Sequence, residues 1–595
     1  MVTEKLNQRQ EEAVNCQPGP LLIIAGAGSG KTRTLTSRII KLLEGGTPPG
    51  KILAITFTNK AAGEMAKRIA GNRLPIDGLF IGTFHSFGAK VLRREARFFK
   101  RTSHFTIFDD EDSTALIKKV LKNADSNNQQ PGASLISWRI SKIKSNLKNE
   151  RTEDEPFQKI YKDYEETLVK NNAFDFDDLI EKPVRLWQAQ PGSLAKYQRQ
   201  YQHILVDEFQ DTNSAQYLLV KLLAEKHRSI SVVGDDAQSI YGWRHADFRN
   251  FLDFDKDWPE AKIVKLEENY RSTVTIIKAA NQVIKNNKLQ KKKELWTKNP
   301  IGEPVKVVAA GDEEAAAEWL ADKVLNITRT SPLEETAVLY RTNAQSRPIE
   351  QALTYQQIPY RIFGGVKFYE RKEIKDVLAG LRLAFNAKDQ VSQERLRKNF
   401  PRNKSDHLIE NLPRLARELT IVQLINFIIN QTDYFRYLEN NFKNYQERTE
   451  NIEELINFAA NFVQAGQNRG GELGDFLERV GLAQSHDNPT LKAKGINLMT
   501  IHLAKGLEFD HVFLSGCNEG ILPHQRSYSS NQELEEERRL MYVAMTRARK
   551  KLFLLFSSLP SRFLYEIPPE LVEFESLDQT QRSLPDEEKS WIEYD

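Results

Sequence analysis

The sequence predicts an α/β fold in two lobes, and three observations carry that prediction. Short apolar runs rich in branched residues, such as "PLLIIAG" (20–26) and "HILV" (203–206), have the character of strands buried on both faces of a parallel sheet, and each gives way to a polar or glycine-rich loop. Between these two runs, residues 90–200 read as mostly helical, with periodic stretches such as "DSTALIKKVLKNA", so a helical domain is inserted in the first lobe. A further set of strand-like runs, "ETAVLYR" (335–341), "INLMTIH" (496–502), "HVFLSG" (511–516) and "KLFLLFSS" (551–558), supplies a second lobe. At 595 residues the chain is too long for one hydrophobic core.

Bulk properties narrow the class. With 40% hydrophobic and 28% charged residues, the composition is that of a soluble globular protein. No apolar stretch reaches the roughly eighteen residues of a spanning helix, and "MVTEKLNQRQ" has no apolar signal core, so no membrane partner is expected. Two cysteines, Cys16 and Cys517, form no CxxC pair, which speaks against structural zinc and for a reducing, cytoplasmic location. A net charge of +4 excludes a wholly basic coat. The runs "KNNKLQKKK" (285–293) and "RLRKNFPRNK" (395–404) read as solvated helix faces, with local phosphate contact as the alternative.

The first element with chemistry is "AGAGSGKT" (25–32). Gly26, Gly28 and Gly30 let backbone N–H groups converge on an anion, and the helix from about Lys31 adds its N-terminal dipole. Lys31 would reach the outer phosphates of a nucleotide and Thr32 would hold Mg²⁺; Ala25 stands where the usual pattern opens with Gly. The next element, "HILVDEFQDTN" (203–213), is a strand ending in two adjacent carboxylates. Asp207 suits the Mg²⁺ shell, and Glu208 can orient and deprotonate an attacking water. The two elements together predict a nucleoside triphosphate hydrolase.

Several segments at apparent strand ends then mix aromatic, hydroxyl and basic residues: "ITFTNKAAGEM" (55–65), "IGTFHSF" (81–87), "AFDFDDL" (173–179) and "VVGDDAQSIYGWRHAD" (232–247). In open parallel sheets such loops form the ligand edge. Phe57, Phe84, Tyr241 and Trp243, beside Lys60, His85 and Arg244, have the makings of a stacking surface for unpaired bases with phosphate contacts between.

The ordered series "AGAGSGKT", "TFTNKAA", "GTFHSF", "VDEFQDTN", "VGDDAQSIYGWRHAD", "LEENYRST", "LYRTNAQSR", "TIHLAKGLEFDHVF" and "EEERRLMYVAMTRAR" resembles the superfamily 1A DNA helicases of the UvrD/PcrA/Rep type, nearly end to end from "LNQRQEEAV" (6–14) to "SRFLYEIPPEL" (561–571). Phe209 stands where that family commonly has Tyr. The resemblance implies two RecA-like P-loop NTPase lobes, each with a mostly helical insertion domain. It implies ATP and Mg²⁺ as cofactors, bound through Gln10, Ala25, Gly26, Ala27, Gly28, Ser29, Gly30, Lys31, Thr32, Arg33, Tyr270, Arg271, Glu508 and Arg547, with Thr32 and Asp207 on the metal. Gln10 would recognise the adenine edge, Tyr270 would stack on its ring, and Glu508 would contact the sugar. Gln238 would sense the γ-phosphate and couple it to the DNA-facing residues, with Arg271 and Arg547 as arginine fingers and Glu208 and Lys31 completing the catalytic set. DNA would be held by Phe57, Thr58, Asn59, Thr83, Phe84, His85, Tyr241, Trp243, Arg244, Arg341, Thr500 and His502.

On this reading the first lobe spans 1–88 and 195–272 around an insertion at 89–194. The second spans 273–376 and 492–572 around a shortened insertion at 377–491, and an acidic, disordered tail occupies 573–595. Relatives usually carry an "N-P-R-x-I-G"-like element in the second insertion; "NFPRNKSDHL" (399–408) lacks the Ile-Gly. Two activities follow as expectations: a 3′–5′ DNA helicase of repair or replication, or a single-stranded DNA translocase that removes bound proteins with little unwinding. The expected partners are single-stranded DNA, its junctions with duplex, and repair or replication proteins, with the chain a monomer or weak dimer. In the tail, Trp591 and Tyr594 are read as a frayed terminus.

Overall fold

Short, mostly continuous apolar runs decide the first sheet. In the computed structural model, which describes residues 6–72, 74–103, 105–108, 110–123, 132–329, 331–363, 371–385, 387, 390–465, 473–474, 476–477 and 495–577, these runs become β1 (Leu21–Ala25), β2 (Ile52–Thr56), β3 (Phe80–Thr83), β6 (His203–Val206), β7 (Ile230–Gly234) and β8 (Lys262–Leu266). They pair in parallel throughout, in the order β3-β2-β6-β7-β1-β8. Leu22, Ile24, Leu53, Ile55, Ile204 and Val206 face one layer of helices with Phe84, Phe87 and Leu219. Leu21, Ile23, Ala25, Ile52, Ala54 and Leu205 face the other, with Leu35, Ile39 and Met65. Both faces are covered, as a parallel sheet requires.

β7 lies between β6 and β1, so the loops after β1, β6 and β7 leave the same sheet edge side by side. That is the crevice where open α/β sheets take ligands.

The insertion between β3 and β6 is helical: Asp110–Asn123, Ala133–Ser145 and Glu155–Lys170 surround one apolar cluster that includes Ile136, Ile140, Phe157 and Tyr164, while Asp178–Ala189 packs Ile180, Val184 and Trp187 into the core of the large sheet. It also contains a two-stranded parallel pair, β4 (Thr106–Phe108) and β5 (Ala173–Asp175). "AFDFDDL" therefore does not sit at the edge of the large sheet, as its strand-then-polar pattern suggested; β5 pairs only within this small sheet.

The chain divides into two units, Met1–Arg271 with Asn287–Lys298 and Asn440–Lys443, and Ser272–Asn286 with Asn299–Glu439 and Asn444–Asp595. The second contains a seven-stranded parallel sheet of β9 (Val305–Ala309), β10 (Thr336–Tyr340), β11 (Tyr360–Ile362), β12 (Ile496–Thr500), β13 (Phe509–Ser515), β14 (Ala548–Phe556) and β15 (Val572–Ser576), ordered β11-β12-β10-β13-β14-β9-β15. Phe513 and Phe553 stack at 4.4 Å in its core. A helical insertion with helices Lys372–Phe385, Arg402–Leu415, Ile421–Thr432 and Tyr445–Ala465 lies between β11 and β12.

β15 corrects the reading of everything from 573 onward as a disordered tail. Val572–Ser576 pairs in parallel with β9, and Lys306 bridges Glu573 and Glu575 at 2.8 and 3.1 Å. The acidic residues that suggested a solvated tail are cross-strand partners of a lysine on the neighbouring strand. Residues 578–595, with Trp591 and Tyr594, lie outside the described residues.

Candidate functional site

The loop after β1 is shaped by two glycines in the left-handed region, Gly28 at φ +64° and Gly30 at φ +81°. It is closed from outside by side chains distant in sequence. Gln10 Nε2 donates to the Ser29 carbonyl at 3.0 Å, Asn269 Nδ2 to Ala27 at 2.7 Å, and the Tyr270 N–H to Gly28 at 3.0 Å. Ala25 ends β1 fully buried with its methyl in the core, which explains why a Cβ is accepted there. Lys31 opens helix α1 (Lys31–Glu44), and its Nζ donates to the Gly26 carbonyl at 3.3 Å, so the ammonium folds back over the loop. Arg33 follows on the same first turn, half-buried.

Gln10 is held in place by two devices. Asn7 and Gln10 form a reciprocal cap at the start of the helix Gln8–Val14. Arg38, fully buried, donates to the carbonyls of Ala13, Val14 and Cys16 and to Ser231 Oγ. Sequence reasoning missed Arg38, since nothing in "SRIIKLL" marks a buried arginine. Tyr270 is exposed, and its hydroxyl accepts from Asn7 Nδ2 at 2.6 Å and donates to Glu268 at 3.0 Å. The Arg271 backbone N–H donates to Asn269 Oδ1 at 2.8 Å, and its side chain borders Gly28.

Across the crevice, Thr32 Oγ1 donates to Asp207 Oδ2 at 2.7 Å. Burial, then the charge of Glu208, pushes the Asp207 carboxyl up to about 6. Glu208 adopts a left-handed backbone (φ +51°), rare for a non-glycine residue, which turns it from the strand axis toward the crevice. Gln210 Nε2 donates to Glu208 at 2.6 Å, while Gln210 Oε1 accepts from the Asp235 N–H at 3.0 Å. Gln238 Nε2 donates to Asp235 at 2.5 Å. Glu208 and Gln238 are thus joined through Gln210 and Asp235. A hydroxyl and a carboxylate in contact form an all-oxygen donor set that suits Mg²⁺.

The basic run 285–293 is neither a solvated face nor a phosphate track at its far end. Lys293, nearly fully buried, bridges Asp235 at 2.9 Å and Asp236 at 2.5 Å, and Leu295 fills the space beside Gly26. Burial alone would raise the Asp235 carboxyl, yet Lys293 and Lys31 hold it below its ordinary range.

Along the same sheet edge run the aromatic residues. Phe57 stacks on Tyr241 at 5.7 Å with ring planes 13° apart, and Tyr241 meets Trp243 at 6.4 Å. Trp243 is 56% exposed, with the Arg244 guanidinium 4.6 Å from its ring. Thr58 caps the helix Asn59–Ala70, and Thr83 caps the helix Phe84–Glu95. His85 lies 5.2 Å from Phe176, which is exposed and was not singled out from the sequence as a site residue. Phe84 departs from the expected stacking role: its ring is 2% exposed and packs with Phe87 and Val91 in the sheet core. Position after a strand could not separate these two neighbours, because the helix that starts at Phe84 turns that ring into the core and leaves the next half-buried beside Phe176.

In the second unit, Arg341 is held bidentately by Glu537, with Nη2 to Oε1 at 2.8 Å. Thr500 directly precedes the short helix Ile501–Ala504, on which His502 is half-buried. Glu508 is exposed, 3.6 Å from Arg549. Arg547 follows the helix Asn531–Met545, buried, donating to the carbonyls of Val543 at 2.9 Å and Leu507 at 3.2 Å.

Comparison with known proteins agrees with this geometry. The model of the UvrD/REP helicase N-terminal domain matches residues 6–259, and that of the UvrD-like helicase C-terminal domain matches residues 264–447 and 431–558. The chain is 41% identical to the ATP-dependent DNA helicase PcrA of Bacillus subtilis (strain 168), covering 96% of this chain and 86% of that protein. It is 39% identical to the ATP-dependent DNA helicase PcrA of Staphylococcus aureus (strain Mu50), covering 98% and 88%. The protein of the same name from Staphylococcus epidermidis is 39% identical, with 98% and 89% covered. Among the described residues, no helix is long and apolar enough to cross a membrane.

Proposed function

The chain belongs to the UvrD/REP helicase family, and on that premise we infer that it is an ATP-dependent DNA helicase moving 3′ to 5′ on single-stranded DNA. The observation that carries this reading is the continuity of one sheet edge. Phe57 follows β2, Asp207 follows β6, Gln238 and the Tyr241–Trp243 rings follow β7 and the Lys31 loop follows β1, so nucleotide and ring residues leave neighbouring strands, with Gln238 three residues before Tyr241.

ATP binds through the loop 25–32, with Gln10 on the adenine edge and Tyr270 on its ring; Arg33, Arg271, Glu508 and Arg547 complete the set. Thr32 and Asp207 would hold Mg²⁺, which would supply positive charge against the phosphates. Glu208 takes the proton of the attacking water, and Gln210 orients its carboxylate. Gln238 senses the γ-phosphate, and because Tyr241 follows three residues later, a shift of Gln238 is passed to the stacked rings. Arg271 and Arg547 stabilise the charge that develops in the transition state, which makes hydrolysis depend on the position of the second lobe. The insertions at 89–194 and 377–491 are accessory domains on the two lobes. Repair or replication is the setting in which such a motor works, and its compartment is the cytoplasm.

The second reading, a translocase that strips bound proteins and unwinds little, is favoured by one observation. In the segment 395–402, Arg395 and Asn399 are tied to Asp376, and Arg397 pairs with Asp406. Phe400 is buried against Tyr434 and Tyr437. Arg395, Asn399 and Phe400 are thus committed internally, while Arg397 and Arg402 stay exposed.

ATPase rate with and without single-stranded DNA, measured beside displacement of a duplex with a 3′ overhang, tests both readings. Stimulation with displacement supports the helicase. Stimulation without displacement supports the translocase. A rate indifferent to DNA overturns both.

A further inference from the structure

The helix Ala133–Ser145 of the first insertion buries Ile136, Ile140 and Ile143 and turns an unusual face outward. Leu135 is 51% exposed and Trp138 is 45% exposed, three residues apart on one side of the helix. Lys142, one turn further, places its ammonium 4.6 Å from the Trp138 ring. A large ring left half in water beside a cation offers a face for stacking with a positive charge next to it.

What faces Trp138 gives its ligand. Its ring lies 5.9 Å from His245, the residue that directly follows Trp243 and Arg244. His245 has a left-handed backbone (φ +65°), a conformation that costs a non-glycine residue about 1 kcal/mol and that gathers at binding sites. Burial, then the positive charge of Lys142, lowers its pKa, so near neutral pH the imidazole presents an uncharged flat face. Through His245, Trp138 therefore meets the same loop that carries Tyr241 and Trp243, all within the first unit.

We propose that Trp138 and Lys142 form an additional subsite on the first insertion, where one further unpaired base of the bound strand stacks on Trp138 and its phosphate is met by Lys142. The chemistry matches the rest of the track: an aromatic face tolerant of any base, and a cation that moves from the ring to the phosphate as the base arrives. The subsite adds one nucleotide to the occluded length without adding sequence preference.

This inference rests on the single-strand reading above, and the test separates the two. Equilibrium binding is measured on a ladder of oligo(dT) lengths for wild type, Trp138→Ala, Trp138→Phe, Lys142→Gln and Trp243→Ala, with folding checked by circular dichroism. Trp138→Ala is expected to bind short oligomers like wild type, to reach its plateau one nucleotide earlier, and to lose about tenfold in affinity on long ones. Trp138→Phe restores most of that loss, and Lys142→Gln flattens the log-affinity against log-salt slope by about one. A wild-type length profile in Trp138→Ala, or an equal loss at every length, overturns the subsite. If Trp243→Ala also binds like wild type at every length, it is the single-strand track itself that fails.

Discussion

Glu208 shows how a single backbone torsion serves chemistry. An L-residue at φ +51° carries a steric penalty of about 1 kcal/mol, which is tolerated because the turn aims the carboxylate off the strand while Asp207 stays beside Thr32. Glu208→Gln keeps the shape and the partner Gln210 but removes the proton acceptor. It is expected to abolish turnover while nucleotide affinity, followed by a fluorescent ATP analogue, stays within about threefold of wild type; persisting turnover would move the base elsewhere.

His85 makes a prediction in pH. Burial, then the Arg244 charge, lowers its pKa from the ordinary 6.5 to about 4. The unfolded chain therefore takes up this proton first as pH falls. The folded state keeps its full stability above 6.5 and loses it progressively between 6.5 and 4. An NMR titration of the imidazole should place its midpoint near 4, and in His85→Gln the fall in melting temperature across that window should be smaller. A midpoint near 6.5 would show an open, solvated ring.

At the scale of elements, the segment Asn287–Lys298 acts as a strap over the crevice of the first unit. Lys293 secures the Asp235–Asp236 turn, Leu295 abuts Gly26, and the Trp296 carbonyl accepts from the Asn269 N–H. The nucleotide loop, the Gln238 turn and the residue leading to Arg271 thus share one support. Breaking a buried ion pair by removing one partner costs about 3–5 kcal/mol, because the other charge stays buried. Lys293→Met should lower the urea midpoint accordingly and also reduce stimulation of the ATPase by single-stranded DNA, with Lys293→Arg recovering much of both. Unchanged stimulation in a folded Lys293→Met protein would mean that the strap only holds structure.

At the scale of the molecule, the proposed cycle draws on both sheets. Arg271 ends the first unit, and Arg547 joins a helix to a strand in the second. Replacing either with alanine is expected to lower DNA-stimulated kcat by about a thousandfold or more, with much smaller effects on strand affinity measured without nucleotide. A variant that loses strand affinity and keeps kcat would assign that arginine to the track instead.

The chemistry of the nucleotide end was legible because it depends on local order. Glycines stand directly before Lys31 and Thr32, Asp207 and Glu208 stand directly after an apolar run, and the parallel strand order brings both loops to one sheet edge. Membership of the family was equally legible from the motif series. What the linear order could not carry was which side of an element a ring or charge would take, and which distant group would meet it. Phe84 went into the core while His85, on the same helix turn, came to rest half-buried beside Phe176. Lys293 left a basic run to neutralise two buried aspartates. Glu573 and Glu575 became partners of Lys306 on an edge strand, and Trp138 came to face His245 from an inserted helix. The sequence by itself determined the nucleotide chemistry and the motor class, because those reside in contiguous residues. Only the tertiary structure decided which rings face outward, which charges pair and what supports the loops, because burial and pairing depend on which residues folding brings together.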